Sequence, residues 1–285
     1  MTPHLFDEAL QLSPAGPEQP DIWLGQSSPA YWNMVGPFGG LTAATAVQAV
    51  LQHPALLGEP VALTINYASA TGEGPFSITA TPVRTNRSTQ HWVVSLHQLN
   101  ASGDKLTNMT ATVMTAVRRD TWHLNDTPLP DVPLPTALPR MVHQRSMEWL
   151  NRYDMRYVCG ATPTQWADKV DPSRSDALGP DSLSQVWVRD DPARALDWLS
   201  LTAISDVFYP RVWLRRPVRV PAGTVSMTTY FHASSPQLRE VGTGYVLCQA
   251  HAQAFRHGFF DQTAQLWSEA GTLLATSIQL VYYKE

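Results

Sequence analysis

Charge is scarce in this chain. Asp, Glu, Lys and Arg make up 15% of its 285 residues, against 44% hydrophobic, with a net charge of -4. So little charge excludes a disordered chain, and an acidic balance argues against a nucleic-acid partner. Cysteine is nearly absent. Cys159 and Cys248 each sit inside an apolar, strand-like run, and two such distant residues make no disulfide framework. Buried free thiols in a reducing compartment are the expectation. No apolar run approaches the roughly 20 residues of a membrane span. MTPHLFDEALQL lacks the basic start and apolar core of a secretory signal. A cytoplasmic globular protein with no membrane partner is expected.

Several catalytic signatures are also missing. The nine histidines include no HExxH spacing, so no metal site is indicated, and no cofactor motif such as GxxxxGK[ST] occurs. Gly25-Gln26-Ser27-Ser28-Pro29 fails the GxSxG nucleophile elbow at its last position. Cys248 and His251 lie at an odd spacing on a strand. That puts them on opposite faces and excludes a Cys/His pair.

What the chain does have is a repeated order. Two short strand-like runs, LFDEALQL and PDIWLGQ, are followed by VGPFGGLTAATAVQAVLQHP. The small residues Ala43, Ala44, Ala46 and Ala49 after Gly39-Gly40 predict a tightly packed helix, closed before Pro54. Alternating strands are predicted at 61–70, 75–85, 90–100 and 105–119, with a hairpin turn at Ala101–Asp104. Residues 124–140 carry five prolines and read as a linker between an N-terminal unit, 1–123, and a C-terminal unit, 141–285. The order then recurs. A polar piece, 141–152, precedes strands at 153–160 and 183–190, separated by a polar, exposed loop. A helix is predicted at 197–212, then strands at 224–233, 244–256, 260–269 and 272–283. HWVVSLHQLNASGDKLTNMTATVM lays over FDQTAQLWSEAGTLLATSIQLV, with Gly103 opposite Gly271. A helix followed by long antiparallel strands, present twice, gives an α+β fold. The two sheets are expected to join edge to edge about a pseudo-twofold axis.

The two copies differ in one telling respect. DWLSLTAISDVFYPRV (197–212) is apolar nearly all round, as a buried helix is. Its one interior charge is Asp206, and a lone buried carboxylate is costly unless donors meet it or it takes up a proton. The first helix, Gly39 to Leu51, has no acid at all. A feature confined to one copy points to function rather than scaffold. The second copy also supplies Thr224, after a Pro-Ala-Gly turn. Its last strand supplies Gln279, on one face with Leu273, Ala275, Ser277 and Val281. The first copy places Pro60 and the neighbourhood of Ala111 opposite these. A carboxylate, a hydroxyl and an amide together would hold a water for attack on an activated ester or thioester. The alternatives are a helix less buried than its pattern, with Asp206 in solvent, an ordinary strand threonine and a satisfied core amide.

On these residues the chain resembles the double hotdog proteins, and specifically the acyl-CoA thioesterase II (TesB-like) family. VGPFGGLTAATAVQA is similar to that family's first-helix stretch. SDVFYP, GTVSMTTYFHA and DQTAQLWSEAGTLLATSIQ are similar to its second copy. The resemblance spans nearly the whole chain. It implies a tandem hotdog, two antiparallel sheets each wrapped round a central helix. It also implies hydrolysis of an acyl-CoA substrate, with the catalytic Asp, Thr and Gln falling on Asp206, Thr224 and Gln279. The oxyanion would be met by backbone N–H groups, for example at a helix N-terminus. The chain departs from the family at Val207, where a basic residue or histidine often follows the acid, and at Leu280, where a glutamate often follows the glutamine. Arg256-His257-Gly258 stands in place of an Arg-Gly pair. Arg256 and His257 are candidate partners for CoA phosphates, the alternative being a solvated turn. A non-catalytic acyl or hydrophobic-ligand binder on the same fold is the second reading. Dehydratase-type hotdogs use a helix histidine, and neither helix has one before His53. The duplication supplies internally the pairing that single hotdogs obtain by dimerising. Association into a homo-oligomer is compatible with it.

Overall fold

The computed structural model describes residues 3–142, 147–163, 165–167 and 179–284. The chain opens with helix α1 (Leu5–Ala9), then strands β1 (Ser13–Pro14) and β2 (Ile22–Gln26). Helix α2 (Gly39–Leu51) follows, then β3 (Glu59–Tyr67), β4 (Pro75–Thr85), β5 (Thr89–Leu99) and β6 (Lys105–Ala116). The second copy runs through β7 (Tyr153–Cys159), β8 (Ser184–Asp190), α3 (Trp198–Ile204) and α4 (Arg211–Arg215). It continues with β9 (Ala222–Phe231), α5 (Ser235–Val241), β10 (Val246–His251), β11 (Phe255–Arg256), β12 (Phe259–Ser268) and β13 (Leu273–Tyr283).

All the strands form one antiparallel sheet in the order β1-β2-β4-β5-β6-β3-β9-β13-β12-β10-β8-β7, with β11 paired to β12. The two halves meet at β3 and β9, where Thr64 faces Thr228. Equivalent residues that face each other mark the pseudo-twofold axis. Val61 and Val225, each three residues earlier, are the residues bulged out of the ladders to β6 and β13. One face of the sheet wraps α2 and α3, giving the tandem hotdog. Ala43, Ala44, Ala46 and Ala49 of α2 are fully buried. Small side chains let a helix sit close to the sheet and to its partner helix. At Gly40 a β-carbon would stand 2.5 Å from the Ala203 carbonyl oxygen of α3, so the two helices cross at this glycine.

Three expectations are corrected. LFDEALQL is not a strand: Leu5–Ala9 is helical, with the His4 ring accepting from Phe6 N–H. Phe6, Ala9 and Leu10 are buried at helical spacing, and that pattern overrides the alternation. The helix at 197–212 is two helices. Asp197 caps α3 by accepting from Leu199 and Ser200 N–H at 3.0 and 2.9 Å. The helix ends at Ile204, and α4 starts after Pro210. Proline bars a continuous helix there, since it lacks the N–H and restricts the residue before it. The strand at 244–256 breaks into β10 and β11. Most of the polar loop after β7 and part of the piece at 141–152 lie outside the described residues.

The proline-rich segment is not a free spacer. Leu129, Val132 and Leu138 pack on Trp187, Tyr245, Leu247 and Trp267, a second apolar cluster on the outer face of the C-terminal sheet. Proline has no N–H to offer a sheet, but its carbonyl can accept. Trp187 Nε1 donates to Pro133 O at 2.9 Å, and Trp267 Nε1 to Thr127 O at 3.1 Å. No helix among the described residues is long and apolar enough to cross a membrane.

Candidate active site

The end of α3 delivers Asp206 to the place where the two copies touch. Ser205 N–H still bonds to Leu201 O, and Asp206 N–H to Ala203 O, so the acid sits on the last turn. Its carboxylate reaches the N-terminus of α2, in the other copy. Gly40 N–H donates to it, and a β-carbon on Gly39 would lie 2.6 Å from Oδ2. The positive end of the α2 dipole favours a negative charge there. Tyr67 donates to Gly39 O at 2.9 Å and pins the start of the helix.

Thr224 and Gln279 complete a chain of hydrogen bonds. Thr224 Oγ1 donates to Gln279 Oε1 at 3.2 Å, and Gln279 Nε2 donates to Asp206 Oδ1 at 2.9 Å. Gln279 Nε2 also approaches Ser205 O at 3.4 Å. These contacts fix which end of the amide is which. The register brings the pair together: Thr224 on β9 faces Val281 on β13, two residues from Gln279 and on its face of the strand. All three expected residues therefore converge. In the first copy Pro60 stands where Thr224 does. Leu63 faces Val113 as Met227 faces Gln279, so the equivalent of Gln279 is Val113 rather than Ala111. Neither Pro60 nor Val113 can hydrogen-bond through its side chain.

Burial pushes the Asp206 carboxyl up to about 7, against the pull of the Gln279 and Gly40 donors. Asp206 is half-buried, since it faces a cavity; Gln279 is buried and Thr224 half-buried. The cavity measures about 300 Å³ and draws on both copies. Gly39, Tyr67 and Asn108 come from the first, and Asp206, Thr224 and Gln262 from the second. A second, open cavity of about 840 Å³ shares Met34, Met147, Tyr209 and Trp213 with the first. Beyond them its lining includes Leu150, Trp166 and Val220.

Arg256, His257 and Gly258 are not part of this arrangement. Arg256 ends β11, and His257 and Gly258 make the turn into β12, with His257 at φ 55 and Arg256 exposed; none of them lines either cavity.

Sequence reasoning passed over two features. The Gly39-Gly40 pair reads as a helix opener, yet its second role is to admit the carboxylate of the other copy. Gln262 faces Gln279 across β12 and β13 and lines the same cavity. It is buried, and its side chain has no hydrogen-bond partner among the described residues. Strand alternation could have found it, since Phe260, Gln262, Ala264 and Leu266 share the inward face.

Two family models match the chain in tandem. The acyl-CoA thioesterase N-terminal domain covers residues 28–117, and the acyl-CoA thioesterase C-terminal domain covers residues 127–283. The chain belongs to the acyl-CoA thioesterase family. A hot dog protein of unknown function from Alicyclobacillus acidocaldarius is 40% identical. It covers 100% of this chain and 99% of its own, with a TM-score of 0.89. The fold is shared with two proteins at 16% identity, each aligned over 98% of both chains. They are the acyl-CoA thioesterase II TesB2 from Mycobacterium marinum, at a TM-score of 0.68, and the tesB protein of Mycobacterium avium subs paratuberculosis, at 0.75. The dehydratase domain of PpsC from Mycobacterium tuberculosis, solved with C12:1-CoA, is 12% identical at a TM-score of 0.56, over 97% of this chain and 99% of its own. No curated protein matches the chain. Within the thioesterase family frame, the site combines the N-terminal domain's helix start with the C-terminal domain's three polar side chains.

Proposed function

We propose that this member of the acyl-CoA thioesterase family hydrolyses acyl-CoA to the free acid and CoA, with Asp206 as general base. The observation that carries this reading is the directed chain Thr224 to Gln279 to Asp206 on the wall of a cavity. Thr224 spends its proton on Gln279, so its oxygen is left to accept. A water can then give one hydrogen to Asp206 and the other to Thr224. Its lone pair is turned toward the thioester carbonyl.

A carboxyl raised to about 7 suits the task, since a base works best with an affinity for protons near the working pH. The water oxygen bonds to the carbonyl carbon as its proton passes to Asp206. The tetrahedral intermediate then expels the thiolate by breaking the C–S bond, and the proton on Asp206 goes to the sulfur. Gln262 stands beside Gln279, and its amide N–H groups have no acceptor among the described residues. It serves as donor to the carbonyl oxygen as that oxygen gains charge. Gly40 N–H, already given to Asp206, orients the base instead. The acyl chain extends into the adjoining cavity past Tyr209 and Trp213, whose apolar lining suits a hydrocarbon. A non-catalytic binder would have no use for a carboxylate held at this energetic cost.

The test is release of free thiol from acyl-CoAs by the purified full chain. The reading expects stoichiometric acid and thiol over many turnovers. Binding of acyl-CoA without any release would replace it with the binder.

A further inference from the structure

Where the last strand of each copy pairs with the strand before it, one residue bulges out of the ladder: Asn108 in β6 and Leu274 in β13. Their main chains do the same work. The Asn108 carbonyl accepts from Ala68 and Ser69 N–H, and the Leu274 carbonyl accepts from His232 and Ala233 N–H, the equivalent pair. The side chains differ. Leu274 is 0% exposed and apolar, while Asn108 is 1% exposed and polar. The fold therefore has no need of an amide at this place. Asn108 lines the catalytic cavity. Its Nδ2 donates to Ala70 O at 3.0 Å and to Ser69 Oγ at 3.3 Å. The Ala70 carbonyl can only accept, which fixes the amide and leaves Oδ1 as a pure acceptor. That oxygen is buried and meets no donor among the described residues. Asn33 Oδ1, on the same cavity wall, is a second buried acceptor without a donor. An unpaired buried acceptor is costly, and in the wall of a reaction cavity a donor on the substrate removes that cost.

We infer that Asn108 is a specificity-determining residue, accepting a hydrogen bond from the amide N–H beside the sulfur of a pantetheine thioester. The inference rests on the hydrolysis reading for the direction in which the substrate lies. With the acyl chain in the second cavity, the thiol arm must leave the other way. The first cavity reaches the surface beside Val35, Ala70 and Gly223, which are exposed and do not line the second cavity. Asn108 is bonded to Ala70 and so stands on that path. A plain acyl chain offers no donor, whereas the thiol arm carries a secondary amide close to the sulfur. CoA and a carrier-bound pantetheine share this group, so Asn108 accepts both. A thioester whose thiol lacks the amide leaves Oδ1 unpaired in the bound state, and a site built to meet a donor discriminates against such an analogue.

The probes are the hexanoyl thioesters of N-acetylcysteamine, which keeps the amide, and of butanethiol, which replaces it with hydrocarbon. Asn108→Leu installs the residue that the second copy has. It should lower the ratio of kcat/KM for the first ester over the second by about tenfold or more. Taking this ratio cancels the difference between the two leaving thiols. Asn108→Ala, which leaves space instead of bulk, should lower it likewise, with thermal melts showing that each variant is folded. An unchanged ratio in both folded variants would overturn the inference. So would a loss confined to 3-hydroxyhexanoyl-CoA relative to hexanoyl-CoA, which would put the donor on the acyl group. Binding separates this inference from the hydrolysis reading. The thioether S-hexyl-CoA has no bond to hydrolyse, and titration calorimetry should find it bound about tenfold more weakly by Asn108→Leu than by wild type. That loss of affinity in a protein that hydrolyses neither ester would keep the inference and refute hydrolysis. Equal affinities would overturn the inference whatever the kinetics.

Discussion

A β-carbon on Gly39 would stand 2.6 Å from Asp206 Oδ2. The clash is with a side chain, and it crosses from one copy of the duplicated unit to the other. Gly40, one residue on, is constrained differently: its β-carbon would meet the Ala203 backbone oxygen at 2.5 Å. The adjacent glycines therefore separate function from packing. Gly39→Ala should lower kcat/KM at least tenfold while leaving the melting temperature within a few degrees, because the carboxylate can move aside. Gly40→Ala forces apart two packed helices and should cost about 1–3 kcal/mol of stability, as overpacking does. Thermal melts and steady-state kinetics on both variants decide it. Equal effects of the two on both measures would remove the distinction.

The pH profile follows from the same carboxyl. Only the ionised form of Asp206 can accept a proton from water. With the group raised to about 7, kcat/KM should hold a plateau above that pH and fall about tenfold per unit below it. A profile flat down to pH 5 would mean that Asp206 is not the base.

Stability should run the opposite way. The folded protein binds a proton at Asp206 more tightly than the unfolded chain does. The stability tied to this group is therefore fully present below its unfolded value, near 4, and is lost as pH rises through about 7. Asp206→Asn should melt higher than wild type at pH 8, by an amount that shrinks toward pH 4. Asp190, also raised by burial, to about 6, contributes in the same window. It is common to both proteins and drops out of the difference. A constant offset between the melts at all pH values would contradict the assignment.

Much of this was legible in the sequence, for identifiable reasons. Strand alternation is a local property, and β4 runs over Pro75–Thr85, as the alternation predicts. The duplication made Asp206 stand out because the first helix has no acid to match it. What was not legible depends on contacts between distant segments. The eight residues of LFDEALQL fit either period, and only the burial of Phe6 and Leu10 decides for the helix. The bulged Asn108 comes five residues after Gly103, but its counterpart Leu274 comes only three after Gly271, so aligning the turn glycines misplaces the strand and Val113 rather than Ala111 matches Gln279. Nothing in Gly39-Gly40 announces that the carboxylate of the other copy lands on it.

Gln262 offers a separable test of transition-state stabilisation. Its amide has no partner among the described residues, so Gln262→Met should leave the fold as stable as wild type. Loss of one donor to a developing oxyanion typically costs about a hundredfold in kcat, with KM little changed. A rise in KM at unchanged kcat would make Gln262 a binding residue only.

The most direct measurement is thiol release from a panel of acyl-CoAs, short, long and aromatic, by wild type and Asp206→Asn side by side. The proposed mechanism expects turnover by wild type and a loss of about a hundredfold or more in the variant, with the panel naming the preferred chain. Equal turnover by the two proteins would contradict it and leave only the fold.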